Sequence, residues 1–500
     1  MVKEHCGVFG AYNFNGEPVF QLLYWALISQ NHRGHESHGF LTYDRGFHLQ
    51  RNVGLVPEIK VKDVDKWMKK LPGNIGIGGV RYGTSGYADE ASLLKDAHPF
   101  VAKIKDTEIG ISYNGNIVNN PQLRRMLSRT VGDLGSTSDI SLISTVLLRE
   151  LVDKGDLFSS AERCMEEVEG AFSLVGLTDK GELFSLRDPY GIRPLSCGFN
   201  EDRTCFAVSS ETVGLNINNI LYDSEIKPGE LVIVTEDGVE RKQVVKSQRR
   251  ALCSFEFAYF ARPDSFLNGT KRAVYEVREM FGRNLGRVYA DIAKKCDLII
   301  SIPETANDAA YGLHEETGLR WERSLRRHRY ITHRAFITPS KEARHKIISR
   351  KVNITDHKMK GKKVIVVEDS IVRGDTTKTI IRKLREAGAE EVHLFVTFPR
   401  IIGPCFYGID MATYQELIGS SHEPEEIAKI IGADSVNYQP IADFVKAIGL
   451  RRDELCLGCI TGEYPTPTAQ EIADKMRSLF EQGVKEKGRI YETYLQAYFQ

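Results

Sequence analysis

Short apolar runs broken by glycine turns fill the chain up to about residue 240. GVFGAYNF, GGVRYGTSG, EIGISYNGN, GAFSLVGLT and CFAVSSET have strand length, and their alternation and β-branched content predict sheet. Two amphipathic helices interrupt them, one near Val19 to Ser29 and one from Ser138 to Val152, the latter opened by Ser/Asp capping residues. DSEIKPGELVIVTEDG reads as a last strand and turn, and the basic RKQVVKSQRR as a linker. From about Val274 the texture changes. VYEVREMFGRNLGRVYADIAKK predicts a long helix leading into the strand DLIISIP. KKVIVVEDS then reads as a buried strand, IVRGDTT as a loop, KTIIRKLREAGAE as a helix and EEVHLFVTF as the next strand. Strand, loop, helix, strand is the order of a parallel α/β sheet. Thr468 to Lys485 reads as a helical tail, and no repeat or low-complexity tract is present.

Composition narrows the classes. At about 150 residues per domain, the 500 residues make three domains or two large ones. With 42% hydrophobic and 27% charged residues the chain can fill sizeable cores, which excludes wholesale disorder. Lys plus Arg and Asp plus Glu are both 67, so nothing global attracts nucleic acid or an anionic membrane. No apolar run is long enough to span a bilayer and MVKEH carries no signal-peptide core, so a cytoplasmic protein is expected. Nine cysteines, odd in number and thinly spread, argue against a disulfide framework. Cys164, Cys197, Cys205 and Cys296 sit among apolar or strand-like neighbours and read as small buried hydrophobes.

Three constellations carry chemistry. In VIVVEDSIVRGDTT, Glu368 and Asp369 end a buried strand, and Gly374 and Thr376 follow where a helix begins. Ligands of open α/β sheets bind at the carboxyl ends of strands, and a helix N-terminus offers N–H groups to phosphate. The hydroxyls of Ser370, Thr376 and Thr377 are further donors. The acidic pair would repel phosphate and instead suits ribose hydroxyls or a Mg²⁺ carried by the substrate. The full string resembles the phosphoribosylpyrophosphate loop of type I phosphoribosyltransferases.

Cys456 and Cys459 have a C-x-x-C spacing that suits a metal chelate, a cluster edge, a redox pair or plain structural cysteines, and Cys253 and Cys405 are candidates to complete four thiolates. Cys6 lies five residues from the initiator. Removal of MVKEH would give it a free α-amine with a reference pKa of about 8, suited to a general base. Asn114 and Gly115 in YNGN are placed to aim an amide and an N–H at an oxyanion. Arg81 and Asp139 are candidates for the carboxylate and amine of an amino acid.

These strings, with NHRGHES, RDPYGIRPL, FARPDS, IPET, FYGIDM, IGADS and CxxCITGEYP, resemble the amidophosphoribosyltransferase family, in its iron–sulfur, propeptide-bearing branch, from Cys6 to about Pro465. The resemblance implies α/β and α+β architecture, an N-terminal αββα N-terminal-nucleophile hydrolase sandwich followed by a type I phosphoribosyltransferase doubly wound parallel sheet. It implies a propeptide at 1–5, a glutaminase domain at 6–240, a phosphoribosyltransferase domain at 241–467 and a helical tail at 468–500. The implied reaction is glutamine-dependent transfer of ammonia to C1 of phosphoribosylpyrophosphate, giving phosphoribosylamine, glutamate and pyrophosphate in the first step of de novo purine synthesis. Cys6 attacks the glutamine amide, Asn114 and Gly115 stabilise the oxyanion, Arg81 and Asp139 hold glutamine, and ammonia passes through an internal channel. Glu368, Asp369, Ser370, Ile371, Val372, Arg373, Gly374, Thr376 and Thr377 hold phosphoribosylpyrophosphate, with one Mg²⁺ per subunit at Thr305, Glu368 and Asp369. Cys253, Cys405, Cys456 and Cys459 ligate one structural [4Fe–4S] cluster per subunit. Purine nucleotides are the expected feedback inhibitors and a homotetramer the expected assembly.

Departures from the family pattern cluster at the phosphoribosyl site. His35 stands where glutamine is usual, Glu368 replaces an aspartate, RGDTT replaces RGTTS so that Asp375 adds a charge, and HRYITHRAFI carries a one-residue insertion near His333. They motivate two alternatives: a glutaminase feeding another acceptor, or a paralogue that binds phosphoribosylpyrophosphate or nucleotides as a regulator.

Overall fold

A computed structural model describes residues 6–82, 90–131, 134, 136, 138–247, 249–267, 269–327 and 352–484. The expected propeptide, the HRYITHRAFI segment and the last residues of the tail lie outside the described residues.

The glycine-punctuated first half folds into two antiparallel sheets. Seven strands run in the spatial order Leu221–Glu225, Ser196–Phe199, Cys205–Ser209, Gly7–Asn13, Ile75–Arg81, Ser37–Tyr43, Phe47–Val53. Six run Gly238–Gln243, Glu230–Thr235, Leu183–Arg187, Gly170–Thr178, Thr107–Ile117, Phe100–Ile104. Val8, Leu41 and Ile77 of one sheet meet Val175, Leu177 and Val232 of the other in a shared core. The outer face of the first sheet packs Phe9 and Phe40 on Phe20, Leu23 and Leu27 of the helix Phe20–Ser29. The outer face of the second packs Ile111 and Leu174 on Ile143, Val146 and Leu147 of Asp139–Lys154. Helix, sheet, sheet, helix is the layering expected, because central strands such as Gly7–Asn13 and Gly170–Thr178 are buried along their whole length, on both faces.

RKQVVKSQRR differs from its reading as a linker. Arg241 to Gln243 complete the edge strand Gly238–Gln243, paired from Glu230↔Gln243 to Thr235↔Gly238. An edge strand tolerates basic residues because one side faces water. Arg241 uses that freedom to bond Glu230 and Ser224.

The second half holds five parallel strands in the order Arg320–Trp321, Leu298–Ser301, Lys363–Glu368, Glu391–Val396, Ser435–Tyr438. Both faces are covered. Val364 and Val366 pack on Ile380, Ile381 and Leu384 of the helix Asp375–Glu386. Ile365 and Val367 face Leu285 and Leu313, which belong to the helices Val274–Val288 and Asn307–Thr317. The predicted long helix ends at Val288, and a short helix Ala290–Ala293 follows Tyr289. The tail helix Pro467–Glu481 buries Ala469, Ile472, Ala473 and Met476 in the same core as the four candidate cluster cysteines.

Candidate functional site

Cys6 immediately precedes the strand Gly7–Asn13, whose register Gly7↔Val80 brings it beside Arg81 at the end of Ile75–Arg81. Burial pushes the Cys6 thiol up, while a bond from the Tyr82 backbone and the Arg81 guanidinium pull it down. A thiol held above its ordinary value is protonated at neutral pH and needs a base to take its proton. Asn114 lies in the strand Thr107–Ile117, is fully buried, and neither its amide oxygen nor its amide nitrogen has a hydrogen-bond partner among the described residues. An unpartnered buried amide costs free energy, so it marks a place where something else supplies the partner. Gly115 is a glycine for steric reasons as well, since a Cβ there would sit 1.8 Å from the Ala171 carbonyl oxygen.

Asp139 begins the helix Asp139–Lys154, where a negative charge complements the helix dipole. Its carboxylate accepts from Ile117 N at 2.8 Å and from the Asn120 side chain. Arg81 pairs with Asp96 at 3.3 Å, and Asp96 accepts from Ser136 Oγ at 2.5 Å. Neither Asp96 nor Tyr113 was among the sequence candidates. Burial raises the Tyr113 phenol well above its usual range, and the charges of Asp139 and Cys6 add to that. One buried ring thus feels the charge of both the expected nucleophile and the expected glutamine-binding acid. Tyr113 was signalled only as the first letter of YNGN.

At the second site Glu368 ends the strand Lys363–Glu368, and Asp369 follows it. Burial pushes Glu368 up to about 8, with the neighbouring Asp369 charge adding to the rise. Burial pushes Asp369 up to about 6, against Ser370 and Arg278, which lower it. Thr377 Oγ1 donates to Glu368 Oε2 at 2.6 Å, and Ser370 Oγ donates to Asp369 Oδ1 at 2.7 Å. Gly374, at φ +79°, turns the loop into the helix Asp375–Glu386 in the left-handed region that glycine adopts without strain. Asp375 is the first residue of that helix, where its charge suits the dipole. Thr305 lies between Leu298–Ser301 and Asn307–Thr317, and the pairing Ser301↔Val367 sets this loop beside the acidic pair. Arg373 donates to Glu416 Oε2 from Nε at 2.8 Å, so its guanidinium is engaged by a carboxylate.

The strand Leu252–Cys253 pairs in parallel with Leu455–Cys456, bringing Cys253 and Cys456 into direct register. Ile402 N and Gly403 N donate to the Cys459 carbonyl, which draws the segment before Cys405 onto the C-x-x-C turn. All four cysteines are buried. Burial raises the Cys459 thiol well above its ordinary value, and Cys405, Cys456 and Cys253 each raise it further. Burial also pushes Cys253 up to about 11, against the Arg193 guanidinium, which lowers it. Among the described residues no group of three or more His, Cys, Asp or Glu side chains is arranged for a single metal ion. Four thiolates around one tetrahedral ion would stand about 4 Å apart. Cys164, Cys197, Cys205 and Cys296 are buried, as their neighbours implied.

Between the two sites runs a buried ionic chain that motif reading did not reveal. Arg33 bonds Glu211 and also Glu256, the latter at 2.6 Å, and Arg193 bonds Glu256 at 3.1 Å. All four side chains are essentially excluded from solvent. Asn116, two residues after Asn114, donates to the Phe406 carbonyl at 2.9 Å, next to Cys405.

A model of the glutamine amidotransferase domain matches residues 91–216. The amidophosphoribosyltransferase of Methanothermobacter thermautotrophicus is 36% identical over 475 residues, 95% of this chain and 97% of that protein. The amidophosphoribosyltransferase of Bacillus subtilis is 34% identical over 477 residues, covering 94% and 96%. A solved glutamine phosphoribosylpyrophosphate amidotransferase from B. subtilis, complexed with ADP and GMP, superposes with a TM-score of 0.82 at 33% identity, covering 93% of this chain and 98% of that one.

Proposed function

The chain belongs to the amidophosphoribosyltransferase family, and on that premise we propose how its residues divide the reaction. The family's reaction, transfer of the glutamine amide nitrogen to C1 of phosphoribosylpyrophosphate, is the first step of purine biosynthesis and is the activity of this chain. The glutaminase unit takes 6–240, extended through the strand that ends at Gln243. The transferase unit, expected from 241, then begins after Gln243 and runs to 467, and the tail takes 468–500.

Once residues 1–5 are removed, the α-amine of Cys6 takes the thiol proton and the thiolate attacks the glutamine Cδ. The C–N bond breaks as the amine returns the proton to departing ammonia, and water then frees glutamate from the thioester. Asn114 and the Gly115 N–H bind the oxyanion of each tetrahedral intermediate. Asp139 holds the substrate ammonium and Arg81 its carboxylate, with Asp96 fixing the Arg81 fork. The observation that carries this half is the buried Asn114 amide with both polar atoms open.

At the second site ammonia displaces pyrophosphate from C1 through an oxocarbenium-like transition state. The N–H groups that open the helix Asp375–Glu386, with Thr376 and Thr377, hold the 5′-phosphate, and the Ser370–Gly374 turn wraps it. Glu368 and Asp369, two buried carboxyls that resist ionisation together, fit a cation that arrives with the substrate, with Thr305 completing the family's positions. Mg²⁺ supplies charge neutralisation of the leaving pyrophosphate when bound. Cys253, Cys405, Cys456 and Cys459 are the residues for a [4Fe–4S] cluster, whose role is to hold the segments that bear them. Purine nucleotides are the proposed feedback inhibitors, a reading supported by the B. subtilis relative complexed with ADP and GMP. We also propose a homotetramer acting in the cytoplasm; among the described residues no helix is long and apolar enough to cross a membrane.

Cys6→Ala tests the division of labour. Glutamine-dependent synthesis of phosphoribosylamine is expected to vanish while ammonia-dependent synthesis persists. Loss of both would contradict it.

A further inference from the structure

Arg373 lies inside the phosphoribosyl loop, and its cationic fork would make it an obvious phosphate ligand. Its geometry is different. Glu416 takes both Nε, at 2.8 Å, and Nη2 of Arg373 on one carboxylate oxygen. The other oxygen, Oε1, accepts from the backbone N–H groups of Ala412, at 2.7 Å, and Thr413, at 3.1 Å. Every strong acceptor direction of Glu416 is thus committed. It sits at the end of the one-turn helix Tyr414–Glu416, closed by a capping box with Thr413.

A second tie runs alongside the first. Ile418 N donates to the Val372 carbonyl at 2.9 Å, so the same segment grips the loop by its backbone one residue from Arg373. Ile418 also packs where the loop turns, its Cδ1 standing 3.4 Å from a Cβ built on Gly374. The segment itself is anchored, since Ser420 Oγ bonds the Tyr414 and Leu417 carbonyls. The loop that would bind the phosphate is therefore held in shape from Glu416 to Ile418.

We propose that Glu416 is a positioning residue for the phosphoribosyl loop, and that Arg373 is its clamp partner rather than a contact to phosphate. The inference rests on the phosphoribosyltransferase reading of this loop and deepens it. The pair is partly exposed, with side-chain accessibilities of 30% and 20%, so the ion pair itself adds little to global stability. Its effect is preorganisation. A loop fixed before binding loses less conformational entropy when phosphate arrives. With its charge neutralised by Glu416, Arg373 offers the phosphate little direct attraction.

The test uses the whole chain with ammonia as nitrogen donor, which bypasses the glutaminase site. Wild type, Glu416→Gln, Arg373→Met and the double variant are compared for KM and kcat with phosphoribosylpyrophosphate, for direct binding of that ligand with Mg²⁺, and for thermal midpoint. Each single change is expected to raise KM and the binding constant by about tenfold, with kcat within about twofold. The double variant is expected to be no worse than either single, because partners in one interaction are not additive. Additive losses would overturn the proposal. So would a neutral or tighter-binding Glu416→Gln beside a weakened Arg373→Met, which would make Arg373 a phosphate contact. Equal losses of midpoint and of glutaminase activity would overturn it too, by showing a merely structural role. A wild type that neither binds nor consumes phosphoribosylpyrophosphate would remove the underlying reading instead, and is read directly from the unsubstituted protein.

Discussion

Glu211 illustrates what a single buried carboxylate does here. Burial alone would raise it, but Arg33, His32 and the Ser265 hydroxyl outweigh that and hold it well below the usual carboxylate range. His32 Nε2 lies 2.8 Å from Oε1, and Ser265 Oγ donates to Oε2 at 2.6 Å. A group with a depressed folded pKa contributes stability that is present above its unfolded pKa, about 4.3, and is lost as pH falls from there towards the folded value. Glu211→Ala is expected to cost about 3–5 kcal/mol at neutral pH, because Arg33 loses one of two buried partners. Denaturant titrations should show that the variant's stability falls less steeply than wild type as pH drops below about 4.3. An unchanged slope would mean that Glu211 is not the titrating group. None of this was legible in NHRGHES or SSET, since the partners are far apart in sequence. Cys6, Asn114, Arg81 and Asp139, by contrast, stand in local strings that made them candidates, and the family resemblance supplied their expected roles.

Periodicity was a sound guide to the elements. The strands around GVFGAYNF, EIGISYNGN, GAFSLVGLT and KKVIVVEDS, and the helices from Phe20, Asp139 and Pro467, lie where hydrophobic spacing puts them. It failed where tertiary pairing decides, as at Arg241 to Gln243, whose polar sequence reads as linker until the neighbouring strand is known. It was also silent about close helix packing. A Cβ on Gly282 would lie 1.8 Å from the Ala309 carbonyl oxygen, and one on Gly312 would lie 1.9 Å from that of Glu279. Each glycine lets the facing backbone approach, so Val274–Val288 and Asn307–Thr317 lie against each other with nothing between them. Gly312→Ala must push the helices apart, and a loss of about 1–3 kcal/mol is expected from overpacking. Thermal unfolding checks it. A midpoint equal to wild type would show that the pair has slack, and the displaced Asn307 end would otherwise carry the Thr305 loop with it.

Across the whole molecule, the two halves are joined through polar contacts that cross between them. Arg33 and Arg193 of the first half meet Glu256 of the second, Asn116 meets Phe406, and Thr468 Oγ1 meets Glu169 at 2.6 Å. Four cysteines from three stretches of chain close the same region. A cluster there would tie Cys253, Cys405 and the Cys456–Cys459 turn together, so ligation would contribute to folding. Cys456→Ser is expected to give colourless or insoluble protein, read by visible absorption after anaerobic purification. A brown, stable variant would remove Cys456 as a ligand. Only the family resemblance pointed to a cluster, while spacing alone left a chelate, a redox pair and plain structural cysteines open.

The activity couples two chemistries in one chain, glutamine hydrolysis proposed at Cys6 and transfer proposed at Glu368 and Asp369. Its most direct test gives anaerobically purified protein glutamine, phosphoribosylpyrophosphate and Mg²⁺, and counts glutamate and pyrophosphate together. Equal release of the two is the expected result. Glutamate without pyrophosphate, from protein with Cys6 at its N-terminus, would contradict the claim and leave a glutaminase with another acceptor.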